Sequence, residues 1–249
     1  MPAPKATLGA QWLNPTDIRS TITRIQSART AHSNLLRNLS GRLDRHGDQV
    51  SSSLRTLDAK DRPSVVAKSI SGFRGELVRE SADQRLAHTR GLSGLAEKLT
   101  AASVHYRSPV QMLMRDTLGS ERRSRIMQQI AASGPVELAS LAEYAAATND
   151  KELAAALCSR VADLPRTDRP FSATELADVP LGDLHREMSQ ALVEAERRVL
   201  EALNEDVEFE TGKSNPQRTL QIAMLRKREQ EIGAYTDDDN ADEQPNAAS

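Results

Sequence analysis

Apolar residues early in the chain recur at steps of four and three: Ile18, Ile22, Ile25, then Leu36, Leu39, Leu43, Val50 and Leu57. That spacing holds one stripe of a helix against a neighbour and fits the a and d positions of a heptad. It predicts a single long amphipathic helix over 14–58. Asn14 offers an N-cap oxygen, Pro15 suits the first helical position and Asp17 complements the helix dipole. At 1.5 Å per residue such a helix is about 66 Å long. Arg29, His32, His46 and Ser53 interrupt the stripe. Gly41 and Gly47 weaken its middle by about 1 kcal/mol each relative to alanine.

A short polar connection over 59–62 follows, and Pro63 restarts the chain. The second stripe reads Val66, Ile70, Phe73, Leu77, falters through Ser81, Gln84 and His88, and resumes at Leu92, Leu95, Leu99 and Ala102. The eleven residues from Leu77 to His88 have the length of a stutter in a heptad pattern. So short a connection forces the two helices antiparallel. With the turn near residue 60, positions whose numbers add to about 120 lie level: Leu43 with Leu77, Ile25 with Leu95, His32 with His88. The two histidines then form a polar layer that fixes alignment at some cost in stability. Two ligands are too few for a metal, and no metal or cofactor is expected. The apolar Leu35, Leu54, Val65 and Leu86 lie off the main stripe, so a further helix, from this chain or another copy, is expected on a second face. Gly72, Gly75, Gly91 and Gly94 are read as points of close helix approach or mild flexibility.

The whole is expected to be all-α: a long antiparallel, coiled-coil-like hairpin over 14–107 after a lead-in over 1–13, a short-helix bundle over 108–164, and a third long helix over 181–209. Trp12 is the anchor of the lead-in. Ser108-Pro109-Val110-Gln111 and Ser172-Ala173-Thr174-Glu175 are capping boxes, and Gly134-Pro135 is a stop and restart. Pro165 and Pro170 mark a linker, with a short helix ending before Pro180, over 165–180. The long helix pairs an apolar side (Leu184, Met188, Ala195, Val199, Leu203) with an acidic one (Glu187, Glu194, Glu201, Glu205, Glu208). A basic amphipathic helix over 215–233, stopped by Gly233, presents Leu220, Ala223 and Met224 beside Arg226, Lys227 and Arg228 as a partner-binding face. Residues 234–249 read as a disordered acidic tail.

Aromatic residues are only 3% of the chain, and no alternating strand pattern is found, which favours the all-α class. The formal charge of −2 conceals a polarity: residues 1–132 carry 21 Lys and Arg against 11 Asp and Glu, and residues 133–249 carry 12 against 24. Basic and acidic segments so arranged are expected to attract each other, within one molecule or between copies. The acidic 171–215 segment is the natural counterpart of the basic hairpin, with charge choosing the partner and the apolar stripe supplying the energy. A rival use of the basic half is nucleic-acid binding.

No catalytic pattern stands out, and no enzyme activity is expected. Thr211-Gly212-Lys213-Ser214 resembles the end of a phosphate-binding loop, but Val207 stands where the earlier glycine belongs and an acidic helix precedes it. The lone Cys158 is expected to be a buried thiol. Met1–Ala10 lacks the apolar core of a secretory signal, and no run suffices to cross a bilayer, so a soluble cytoplasmic protein is expected. Long helices, few aromatics and a short basic amphipathic helix near the C-terminus give the chain a general texture similar to phage scaffolding and virion structural proteins. That similarity implies a non-enzymatic scaffold or adaptor, in the virion if phage-encoded, with protein partners and further copies of itself.

Overall fold

In a computed structural model of the chain, residues 12–241 are described, with side chains as far as Ile232. The elements are α1 (Pro15–Ser53), α2 (Arg62–Glu80), α3 (Ala82–Ser103), α4 (Pro109–Asp116), α5 (Glu121–Gln129), α6 (Pro135–Thr148), α7 (Lys151–Ala162), α8 (Ala173–Thr211) and α9 (Pro216–Ala241). Single 3-10 turns lie at Val104–Tyr106, Ile130–Ala132 and Arg166–Asp168. The protein is all-α, with no strand among the described residues.

Four boundaries differ from the periodicity. The first helix stops at Ser53, five residues before Asp58. Ser52 and Ser53 turn their hydroxyls back onto the carbonyls of Asp48 and Gln49, at 2.7 and 2.8 Å, and such back-bonding loosens a helix end. The second segment breaks at Ser81, whose N–H and hydroxyl both donate to the Leu77 carbonyl, at 3.0 and 2.7 Å. The expected break at Pro180 is absent, because α8 passes through it. Leu176, Ala177 and Leu181 are buried on either side, and that burial offsets a mid-helix proline costing about 3 kcal/mol. Similarly, α9 continues through Gly233 to Ala241, into the stretch expected to be disordered, since a helical glycine costs only about 1 kcal/mol. The rest of the expected tail, 242–249, and residues 1–11 of the lead-in lie outside the described residues.

The chain divides into two compact units, residues 1–15 with 100–192 and residues 16–99 with 193–249. The cuts fall after the first residue of α1 and inside α3 and α8, not at the turns that mark the sequence boundaries. In the first unit, α7 packs on α4, α5 and α6. Ala154, Ala155 and Ala156 are buried beside Leu153, Leu157 and Val161, the small side chains allowing close approach. Ser108, Ser120 and Asp150 each accept an N–H as N-caps, and Asn149, at φ 52°, closes α6 in the left-handed conformation. Trp12 stacks on Tyr106 with centroids 5.2 Å apart, and the Tyr106 hydroxyl donates to the Leu13 carbonyl at 2.6 Å. The indole thus fixes the segment leading into α1.

In the second unit, α1 runs against α2 and α3 in opposite directions. Arg42 pairs with Glu80 at 2.8 Å, the His46 ring stacks on Phe73 at 4.2 Å, and the His32 and His88 rings lie 5.8 Å apart. In each pair the residue numbers add to within a few of 120. Leu36, Leu39, Leu43 and Leu77 form one buried cluster with Phe209, which α8 supplies. Ile18, Ile22, Ile25, Leu92 and Leu99 are also buried, while Leu95 is half-buried. Gly72, Gly75, Gly91 and Gly94 correct one expectation: a β-carbon at any of them would meet nothing within 4 Å, so no helix crosses there.

Candidate functional site

The interruptions in the apolar stripes of α1 and α3 converge on the carboxylates of α8. Arg29 reaches Glu201 at 3.0 Å and Glu205 at 3.4 Å, and Ser33 donates to Glu205 at 2.9 Å. One turn on, the Arg85 guanidinium clamps Asp206 with two parallel bonds of 2.8 and 2.9 Å, and extends to Glu210 at 3.2 Å. The Arg85 side chain is 6% exposed and that of Asp206 14%. Arg85 also lies over the Phe209 ring, 5.4 Å from its centroid. A fork of donors matched to a carboxylate in this way is the strongest and most directional ion pair available to a protein.

His32 is fully buried in this layer. Its Nε2 stands 3.5 Å from the Asp206 carboxylate, and neither ring nitrogen has a hydrogen-bond partner. Burial pushes the His32 imidazole below its ordinary value; Asp206 and Glu205 oppose that shift, while His88 and Arg85 add to it. The neutral ring is therefore the form the fold accommodates.

The fourth helix joins at Glu201. This carboxylate is 7% exposed and receives Arg29, Arg197 at 2.9 Å and Arg226 at 2.8 Å. Burial alone would raise its carboxyl, but hydrogen bonds from Arg226 and Arg197 and the charges of Arg197 and Arg29 hold it below the usual range. Arg197 also grips Glu229 of α9 at 2.7 Å. Ile222 of α9 is buried, and Arg218 donates to the Leu203 carbonyl at 2.9 Å. The layer thus ties α1, α3, α8 and α9 in one register.

The residues expected to bind a partner separate into two groups. Arg226 is committed to Glu201, which it reaches from the edge of the network with its side chain still 62% exposed. Leu220 and Met224, each 64% exposed, lie on the opposite side of α9 with exposed Ala223, Lys227 and Arg228. Lys227 makes a 3.6 Å pair with Glu231 on its own helix.

No protein-family model matches the chain, and no curated protein or solved structure matches it. Among the described residues, no three His, Cys, Asp or Glu side chains converge as a metal site, and no helix is long and apolar enough to cross a membrane. Cys158 is buried, donates to the Ala173 carbonyl at 3.3 Å, and has its thiol pushed up to about 11 by burial. A thiol so protonated is a poor nucleophile.

Sequence reasoning finds the His32–His88 layer and the acidic side of α8, but misses Arg85, Asp206, Arg197 and Glu229. The signal was partly present: Arg29 and His32 break the stripe on α1 just where the charged layer forms. Nothing in the linear order shows that Arg85 and Asp206, 121 residues apart, meet.

Proposed function

We propose that this chain is a non-enzymatic helical assembly protein, a scaffold or adaptor that docks helices of a protein partner and of further copies of itself. The two-sided character of α9 carries the reading. Its inner side is fixed by Ile222, Arg218 and Glu229, so the helix needs no other support. Its outer side still holds Leu220 and Met224 in solvent, one turn apart and edged by Lys227 and Arg228. An apolar pair bordered by cations suits an amphipathic helix bordered by carboxylates: the apolar stripe supplies affinity and the charges select orientation. The resemblance in texture to phage scaffolding and virion structural proteins supports the same reading.

Light scattering on the full chain across a concentration series tests it. The expected mass exceeds that of one chain and rises with concentration. A single-chain mass at every concentration, with nothing bound after purification, would remove the proposal.

A further inference from the structure

The hairpin is covered along only part of its length. From residue 44 to residue 76 no side chain is fully buried, although Leu43 and Leu77 on either side are. The reason lies in where α8 ends. Phe209 completes the cluster of Leu36, Leu39, Leu43 and Leu77, and two residues later α8 stops at Thr211. Gly212 then lies under the Arg74 guanidinium. Beyond that level the two arms run on for about 20 Å, at 1.5 Å per residue, and among the described residues of the unit they have only each other to pack against.

The apolar pattern does not stop there. Val50 and Leu54 on one arm and Val66 and Ile70 on the other are half-buried, while Leu57 and Val65 are 37% and 41% exposed. The turn itself is well held. Arg62 donates to the carbonyls of Arg55 and Leu57, both at 2.9 Å, and the backbone N–H groups of Asp61 and Arg62 bond to the Asp58 carbonyl at 3.1 Å. An ordered two-helix end therefore presents an apolar strip that no other described residue of its own unit covers.

Charge indicates the occupant. Residues 1–107 carry a net charge of +8, but residues 44–68 hold five cations against four carboxylates. A strongly basic end would repel its own copy and call for an acidic partner. A balanced end with interspersed signs meets its own copy without net repulsion and offers each cation a carboxylate across a two-fold axis. Pairing two such hairpin ends gives a four-helix arrangement, the same solution the chain reaches internally where α8 and α9 join α1 and α3.

We propose that the hairpin end, residues 44–73, is a self-association surface that pairs with the same surface of a second copy. This rests on the assembly reading above and specifies where copies meet. It is distinct from the outer face of α9, which is left to the partner.

The test is sedimentation or light scattering of the full chain, comparing wild type with the double variant Leu57→Glu/Val65→Glu and with Leu220→Glu/Met224→Glu. All four positions are exposed enough to accept a carboxylate without opening a core, and circular dichroism checks that helix content is unchanged. A second hairpin variant, Leu57→Ser/Val65→Ser, removes apolar surface without adding charge. The expected result is a wild-type dimer whose dissociation constant rises at least about tenfold in both hairpin variants and is unmoved in the α9 variant. A dimer that survives both hairpin substitutions overturns this inference while leaving the assembly reading intact. A wild-type chain that is monomeric at every concentration overturns both.

Discussion

Gly212 shows what a residue can look like in sequence and be in the fold. Within Thr211-Gly212-Lys213-Ser214 it imitates a phosphate-binding loop, yet it is the left-handed residue that ends α8, at φ 73°, with its N–H on the Glu208 carbonyl at 2.8 Å. A β-carbon there would also run into Nη1 of Arg74. Gly41 is the contrast: it lies within α1 with nothing within 4 Å of a β-carbon. Gly212→Ala is expected to destabilise the protein by about 1–2 kcal/mol. Gly41→Ala is expected to stabilise it by about 0.5–1 kcal/mol. Urea denaturation of both variants measures the difference in sign. His32 belongs to the same scale. Its folded value lies below 6.5, so on acidification the unfolded chain binds the proton first. Its contribution is intact above about pH 7 and is lost as the pH falls through 6.5 towards the lower folded value. His185, also depressed by burial, acts with the same sign. The urea midpoint should therefore drop between pH 7 and 5.5, and His32→Gln should flatten part of that slope. Identical slopes in the two proteins would contradict the assignment.

Elements are held by different forces along their lengths. The core of the helical hairpin relies on leucine packing against Phe209, while its middle layer relies on ionic contacts from α8. A buried ion pair is weak evidence of net stabilisation, but removing one partner strands the other. Arg85→Ala leaves the Asp206 carboxylate beside a neutral His32 and is expected to cost about 3 kcal/mol by urea denaturation. Arg42→Ala, at the exposed Glu80 pair, is expected to leave the midpoint nearly unchanged, and a comparable loss in the two variants would show that burial is not what distinguishes them. The continuity of α8 through Pro180 follows the same logic. Local preference ends a helix there, and burial of Leu176, Ala177 and Leu181 outweighs it.

At the scale of the whole molecule, the opposed charges of the two halves are spent in part on each other. Arg29 and Arg85 of the basic half face Glu201, Glu205, Asp206 and Glu210 of the acidic half. Arginines engaged in this way are not free to neutralise phosphates, and those remaining are spread along several helices. Nucleic-acid binding through phosphate contacts would be strongest at low salt. A mobility shift with duplex DNA at about 50 mM salt is therefore expected to be absent, and a clear shift that disappears with added salt would revive the nucleic-acid reading.

The order of apolar and polar residues by itself determined the all-α class, the positions of most helices and the stretches that cap them. Periodicity and capping act over a few residues, so they are written locally. It also placed His32 level with His88, whose rings lie 5.8 Å apart, because a short connection leaves two helices little freedom in register. Only the tertiary structure decided that Asp206 and Arg85 share one bond pair, that Arg226 pairs with Glu201 of α8 while Lys227 pairs within its own helix, and that α8 ends short of the hairpin's tip. Those outcomes depend on which faces of distant helices meet, and burial at those meetings overrides the local preferences that sequence reading can see.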